Sequence, residues 1–482
     1  MSGVCGVAEG MSFGQMNFGQ AQLEDRRRTA RLVKTADALV RHPGGTLPEK
    51  LQAPADLGAV YHLLSCPQVT HAAVLAPHRE LTLTRIARHD GPVLIIHDAT
   101  ELDFTTRRAL THALGEIGNG SRRGYVCHNS LAVDPLRREV LGLTGQILHR
   151  RAKVRKGETQ AQRRVRADRE SRLWLQGTQS LPADWNLIDV CDRGADTFEF
   201  LEHESHSGRR FVIRSAYNRG IHVAHDPQAA HSLAHEFART LPACATRTIC
   251  VSACRVEKKS KKRGPKQVRQ RRQREAQLCV AAAPVLLRAP SSKNGEHGDV
   301  PLPLWIVRVW EPHPPADEEP LEWFLWTNQP IHSAEEALWV VSWYECRWMV
   351  EEYHKAMKTG CGIENPQFTA ADRLEPLLAL LSVVALSLLN LREISRRPEA
   401  RTRRAREIVS GDYVAVLSTW RHKTPREDWT IYEFFLALAR LGGHQNRKGD
   451  HHPGWLVLWR GWHHLQAMMD GAHAIQQIQK CA

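Results

Sequence analysis

Residues 374–394 read LEPLLALLSVVALSLLNLREI. The segment is apolar nearly all the way round a helix, so no polar stripe gives it a solvent side. Such a helix has to be surrounded, and the rest of the chain must supply a core that encloses it. At 482 residues the chain has material for such a core, in roughly two to four domains. Acids and arginines flank the run closely. No stretch reaches the roughly eighteen apolar residues of a membrane span, so a buried helix is expected and no membrane partner. The first twenty residues lack a basic region followed by an apolar one, so no signal peptide is expected.

Upstream the texture is mixed. GPVLIIHDATELDF (91–104) is an apolar run of strand length ending in Asp98. CHNSLAVDP and EVLGLTGQILH read as further strands joined by a turn. Residues 162–177 read as helix. Residues 185–203 read as strand, turn and helix, with Asp192 at the strand's end, and 209–217 as another strand. This is an α/β pattern. Residues 240–330 are richer in strand signals. Beyond 330 helices dominate, one of them running over 333–358. Near the N-terminus, residues 21–41 form an amphipathic pattern with Leu32, Val33, Ala36, Leu39 and Val40 on one side. Arg27, Arg28, Arg31, Lys34 and Thr35 fall on the other, and HPGG at 42–45 stops the helix. That basic face suits phosphate contacts; a solvated face is the plainer account.

Charge points the same way. The net charge is +14, with a pI near 9.4, which attracts polyanions without choosing between nucleic acid and an anionic membrane. Residues 258–274, KKSKKRGPKQVRQRRQR, hold ten Lys or Arg and no acid. Such a block reads as a solvated loop that finds polyanions. The eleven cysteines are scattered, and Cys250-x3-Cys254 has no matching pair, so reduced thiols in a cytoplasm are expected rather than zinc. Trp455, Trp459 and Trp462 share a helical face that reads as core, or as a dimer face.

The chemistry concentrates in WYECRWMVEEYHKAMKTG (343–360). On one continuous helix Tyr344, Arg347, Glu351 and Lys358 lie within about 60° of each other. Arg347, Lys358 and the Tyr344 hydroxyl are phosphate-binding groups. Glu351 on that face, with Asp98 and Asp192 at strand ends, makes a set of carboxylates of the kind that holds Mg²⁺. Two such ions can run an in-line phosphoryl displacement. The plainer account is a set of i,i+4 surface pairs, Arg347–Glu351 and Glu351–Lys355, with the aspartates as turn residues.

Tyr344-x2-Arg347-x3-Glu351-x6-Lys358 resembles the YREK signature of the cut-and-paste DDE transposases of bacterial insertion sequences, in their Tn-five-like branch. LEDRRRTARLV resembles that family's N-terminal DNA-binding helix. IIHDATELDF and VCDRGAD resemble its two aspartate motifs, followed by RFVIRS. LEWFLWTNQPI resembles the strand before the last catalytic helix, and LARLGG and LWRGW resemble its C-terminal dimerisation region.

The resemblance implies an α/β fold: an RNase-H-like catalytic core (76–370) with a β-rich insertion at about 235–330. A helical DNA-binding domain (1–75) and a helical dimerisation domain (371–482) would flank it. It implies Asp98, Asp192 and Glu351 as catalytic, metal-binding residues, with Mg²⁺ as cofactor and Mn²⁺ able to substitute. Tyr344, Arg347, Lys358, Trp323, Arg27, Arg28 and Arg31 would bind DNA, Trp323 by stacking beside a flipped base. Trp326 would be a core residue of the same strand. The partners implied are double-stranded DNA, both transposon terminal repeats and target, and a second copy in a synaptic homodimer. The location implied is the bacterial cytoplasm, at the nucleoid. A non-transposing nuclease on the same core, and a domesticated DNA-binding protein without catalysis, remain as alternatives.

Overall fold

The computed structural model describes residues 11–42, 44–51, 53–153, 157–159, 162, 166–223, 232–251, 254–258, 267–271, 273–290, 298–316, 318–447, 450 and 452–481. Helices open the chain: α1 (Phe13–Phe18), α2 (Arg26–Arg41), α3 (Leu47–Leu51), α4 (Pro54–Leu64) and α5 (His71–Ala87). Strands and helices then mix: β1 (Val93–Asp103), β2 (Gly115–Ile117), β3 (Arg122–Asp134), β4 (Glu139–His149), α6 (Leu173–Gln179), β5 (Leu187–Cys191), α7 (Phe198–His206) and β6 (Arg210–Arg214). A β-rich stretch follows: β7 (Gly220–Val223), β8 (Ser232–Leu233), α8 (Ala234–Thr240), β9 (Ala245–Val251), β10 (Cys254–Lys258), β11 (Gln267–Arg271), β12 (Arg274–Leu287), β13 (Leu302–Trp310) and β14 (Glu322–Thr327). The chain returns to helix in α9 (Ala334–Glu345), α10 (Trp348–Lys355), α11 (Ala371–Arg396), α12 (Gly411–His422), α13 (Ile431–Leu441) and α14 (Trp455–Cys481). The fold is mixed α/β, with a helical N-terminal region and a many-stranded sheet of parallel and antiparallel pairs.

The chain divides into two compact units. One comprises Met1–Asp90, Ala99–Lys156 and Trp348–Ala482; the other comprises Gly91–Asp98 and Gly157–Arg347. In the first unit β3 pairs antiparallel with β2 and β4. The long helix α11 packs on α5 and β4, and also meets α2 and α13. Its most apolar eighteen-residue window has a mean hydropathy of 2.0, so by length and composition it does reach a membrane span, contrary to the sequence expectation. The counting missed this because Ser382, Ser387 and the alanines interrupt the large apolar residues without lowering the hydropathy enough. The window is 89 % buried within the protein. Ser382 is tied in: Gln146 Nε2 donates to Ser382 Oγ at 2.8 Å, and the Tyr353 hydroxyl donates to the Ser382 carbonyl at 3.1 Å, whereas the buried Ser387 hydroxyl has no partner among the described residues.

In α2 the side chain of Asp25 caps the first turn by accepting from the Arg27 N–H at 2.8 Å. Thr35 is buried with Leu32, Ala36, Leu39 and Val40 rather than facing out with the arginines. Its hydroxyl satisfies itself on the Arg31 carbonyl at 2.7 Å, which lets it join the core. Trp455 and Trp462 are buried, and Trp462 stacks on Tyr413 at 5.3 Å.

The second unit is built on a sheet in the order β1-β5-β6-β14-β13-β12-β7-β8, with β9 also on β12. The β1–β5 and β5–β6 pairs are parallel, whereas β14, β13, β12 and β7 continue antiparallel. Every residue of β5 is buried, as are Val93–His97 of β1. Parallel strands covered on both faces need such unbroken apolar runs.

Three readings change. β1 does not stop at Asp98 but runs on to Asp103. Of the helix expected over 162–177, Gln162 and Leu173 onward are α-helical and Glu170–Arg172 is a 3-10 turn, with residues 166–169 not helical; residues 163–165 are outside the described residues. The basic block is not simply a loop: Lys258 ends β10, Gln267–Arg271 forms β11, which pairs antiparallel with β10, and Arg274 opens β12, while residues 259–266 and 272 are outside the described residues. The Cys254 side chain is also outside them.

Candidate active site

The sheet register fixes two aspartates and an arginine in one row. His97 of β1 is opposite Cys191 of β5, and Cys191 is opposite Ile213 of β6. One residue further along these three parallel strands come Asp98, Asp192 and Arg214. Neighbouring strands lie about 4.8 Å apart, and successive side chains alternate faces. The three therefore share one side of the sheet, away from His97, Cys191 and Ile213.

Arg347 closes on this row. Its Nη1 donates to Asp98 Oδ2 at 3.1 Å, an ion pair that is mostly buried. Asp192 Oδ1 accepts the Gly194 N–H at 2.9 Å, so the Asp192-Arg193-Gly194 turn orients its carboxylate. Burial pushes the Asp192 carboxyl above the ordinary aspartate range, against the pull of the Gly194 N–H and of Arg347, Arg214 and Arg193. Burial likewise raises the Tyr344 phenol, opposed by Arg347 and Arg214. This unit thus brings together four of the residues expected from the sequence: Asp98, Asp192, Tyr344 and Arg347. It adds Arg214 and Arg193, which the sequence reading left without a role. Arg214 was legible in principle, since RFVIR ends a strand as IIHD and VCD do. Asp196, four residues after Asp192, is structural: it accepts from the Ala216 and Tyr217 N–H groups and from Arg219.

The segment 343–360 is not one helix. α9 ends at Glu345, the Arg347 N–H donates to the Tyr344 carbonyl three residues back at 3.0 Å, and α10 begins at Trp348. Ala356–Gly360 then widens to a π turn, closed by the Cys361 N–H on the Ala356 carbonyl at 2.8 Å. A constant step of about 100° per residue does not survive these two changes, so the shared stripe drawn from a straight helix is not how the fold arranges these side chains. The tightened turn instead delivers Arg347 to Asp98.

In the other unit Glu351 is exposed on α10. Its neighbour Glu352 has a structural part, paired with Arg392 at 2.5 Å and Lys355 at 2.7 Å and accepting the Trp455 indole N–H at 2.8 Å. Lys355 and Arg347 therefore have partners other than the surface pairs of the plainer account. Lys358 Nζ donates to the Glu101 carbonyl at 2.5 Å and lies 3.8 Å from Glu364.

The N-terminal arginines differ from one another. Arg27 is almost wholly exposed beside Asp25. Arg28 Nη1 donates to the Leu23 carbonyl at 2.9 Å, and Arg31 pairs with Asp56 at 2.7 Å. Arg26 is exposed with Arg27, whereas Lys34, though exposed, shares Asp56 with Arg31 at 2.8 Å. Trp323 lies half-buried in β14 opposite Val309, and its indole N–H has no acceptor among the described residues. Trp326 is fully buried on the other face.

Among the described residues no group of three or more His, Cys, Asp or Glu is arranged to hold a metal ion. What the sheet presents at this row is two carboxylates, Asp98 within β1 and Asp192 just after β5. That donor set suits a hard divalent cation that takes one or two carboxylates and completes its shell with water and phosphate oxygens.

The helices α1 to α4 fall within a recognised sequence family. Residues 11–69 match the model of the transposase DNA-binding family, which supports a transposase with DNA as its partner.

Proposed function

We propose that the chain is a cut-and-paste DNA transposase of the DDE type, with an RNase-H-like core. The observation that carries this reading is the row of Asp98, Asp192 and Arg214 with Arg347 bonded to Asp98. It occurs in a chain whose residues 11–69 match a transposase DNA-binding family. Asp98, Asp192 and Glu351 would hold Mg²⁺, with Mn²⁺ able to substitute. Bound there, divalent ions stabilise the attacking and leaving oxygens of an in-line phosphoryl displacement.

The chain's own residues do the positioning. Arg347 and Arg214 supply fixed positive charge beside the aspartates for a scissile phosphate. The Tyr344 phenol, raised by burial, keeps its proton and donates it in a hydrogen bond to a phosphate oxygen. Lys358 adds a further contact, and Trp323 offers a stacking surface to a base turned out of the duplex. Exposed Arg27, with Arg26, contacts phosphates at the transposon end, and Arg28, Arg31 and Lys34 hold that surface in shape. The reaction is a nick at the transposon end, attack of the freed 3′-hydroxyl on the opposite strand to give a hairpin, reopening, and strand transfer into target DNA. A homodimer would bring two ends together.

The test is a labelled duplex carrying the element's terminal repeat, incubated with and without Mg²⁺ and resolved on a denaturing gel. A Mg²⁺-dependent nick followed by a hairpin is expected. Cutting without a hairpin leaves a nuclease; binding without cutting leaves a DNA-binding protein.

A further inference from the structure

Four ionisable side chains lie inside the second unit beneath the aspartate row. His97, Asp189 and Glu204 are 0 % exposed and Arg209 is 3 % exposed. His97 Nε2 donates to Asp189 Oδ1 at 2.8 Å, Arg209 Nε to Asp189 Oδ2 at 2.7 Å, and Arg209 Nη2 to Glu204 Oε1 at 3.3 Å. Burial alone would raise Asp189, but the bonds from His97 and the charge of Arg209 more than offset it, so this carboxyl stays ionised. Burial and the neighbouring Asp189 push Glu204 well above the ordinary range, so it keeps its proton.

Burying such groups costs more solvation than their pairing usually returns, and an apolar core of the same shape is often as stable. Their placement shows what the cost accompanies. His97 directly precedes Asp98, and Asp189 is three residues before Asp192. Both lie on the face of the β1–β5 pair opposite the aspartate row, so the His97–Asp189 bond spans the strands just behind it. Arg209 leads into β6, whose last residue is Arg214. Glu204 sits on α7, the helix after the Asp192 turn. One network therefore ties together every element that presents Asp98, Asp192 or Arg214.

We propose that His97 and Asp189 are positioning residues: their bond fixes the separation of Asp98 and Asp192, and so sets how tightly the two carboxylates share a divalent cation. This rests on the reading of those aspartates as cation ligands. Partners behind metal ligands commonly change metal affinity by about 10- to 100-fold when removed.

The experiment is calorimetric titration of Mn²⁺ into the full chain, with thermal melting as the check on folding. Loss of Mn²⁺ binding in the double variant Asp98→Asn/Asp192→Asn is expected. His97→Leu removes the bond while leaving Arg209 paired with Asp189; it should stay folded and bind Mn²⁺ about 10- to 100-fold more weakly. His97→Gln keeps a donor toward Asp189 and should restore affinity to near wild type. If His97→Leu fails to fold, His97→Met carries the same comparison. A folded leucine variant with wild-type Mn²⁺ affinity overturns the positioning role. Equal Mn²⁺ binding by wild type and by the double asparagine variant overturns the ligand reading itself, and the proposal with it.

Discussion

The helix α11 and the β1–β5 strand pair are both deeply buried, yet they are buried in different ways. In α11 the interior is filled by leucine, valine and alanine, and its buried polar residues are few. In the strand pair equally inaccessible positions hold His97 and Asp189, with Asp98 next to His97 in β1 and Asp192 just past β5. The first is the cheapest way to fill a core. The second retains desolvated charge that a core does not need for stability. On the proposed reading, buried charge beside Asp98 and Asp192 holds the site for chemistry, whereas buried leucine only holds the protein together.

The largest effect expected from this contrast is on reaction. Asp192→Asn, or Glu351→Gln in the other unit, should abolish cleavage while leaving DNA-end binding nearly intact; equal loss of both would contradict a catalytic role. Next is Arg209→Met, which strands Asp189 in the interior and should cost about 3–5 kcal/mol in denaturant unfolding. Leu381→Ala removes a fully buried side chain of α11 and should cost about 2–5 kcal/mol through the lost contacts and the cavity. Its readout separates the two regions: stability falls, but the Mn²⁺ affinity of the folded protein does not. If it did, α11 would be part of the site.

Asp192 gives a smaller, pH-dependent effect. A carboxyl raised in the folded state keeps its proton where the unfolded chain has lost it. It therefore subtracts stability once the pH rises above the ordinary aspartate value of about 3.9. The loss is complete above the folded value and absent below the unfolded one. Without divalent ions, Asp192→Asn should melt higher than wild type at neutral pH, and the difference should vanish in acid. A difference that grew in acid would reverse the assignment. The smallest effect concerns α2: Arg27→Ala should reduce the salt slope of DNA binding by about one unit with little change in stability. Arg31→Ala should instead loosen the Asp56 pair, worth about 0–1 kcal/mol. Equal slopes for Arg27→Ala and wild type would remove Arg27 from the interface.

Much of this was legible in the chain. The two parallel strands before Asp98 and Asp192 could be read because such strands demand unbroken apolar runs, and the buried runs stop where the carboxylates begin, although β1 itself continues to Asp103. The amphipathic α2 could be read from its spacing. Thr35 and the path of 343–360 could not. A hydroxyl's burial depends on whether a carbonyl is within reach, and a helix's continuity depends on what waits at its end. Arg347 leaves the helical path at a tightened turn and meets an aspartate 249 residues away in sequence.

The sequence by itself determined the α/β character, the burial of α11, the positive charge, and the residue types able to hold a phosphate or a cation. These depend on composition and local periodicity, which any stretch of chain carries with it. Only the tertiary structure decided that Asp98, Asp192 and Arg214 stand in one row, that Arg28 and Arg31 are engaged while Arg27 is exposed, and that His97 reaches Asp189. Those outcomes are set by strand register and by contacts between residues far apart in the chain, and a single shift of register would turn each strand's side chains to the opposite face.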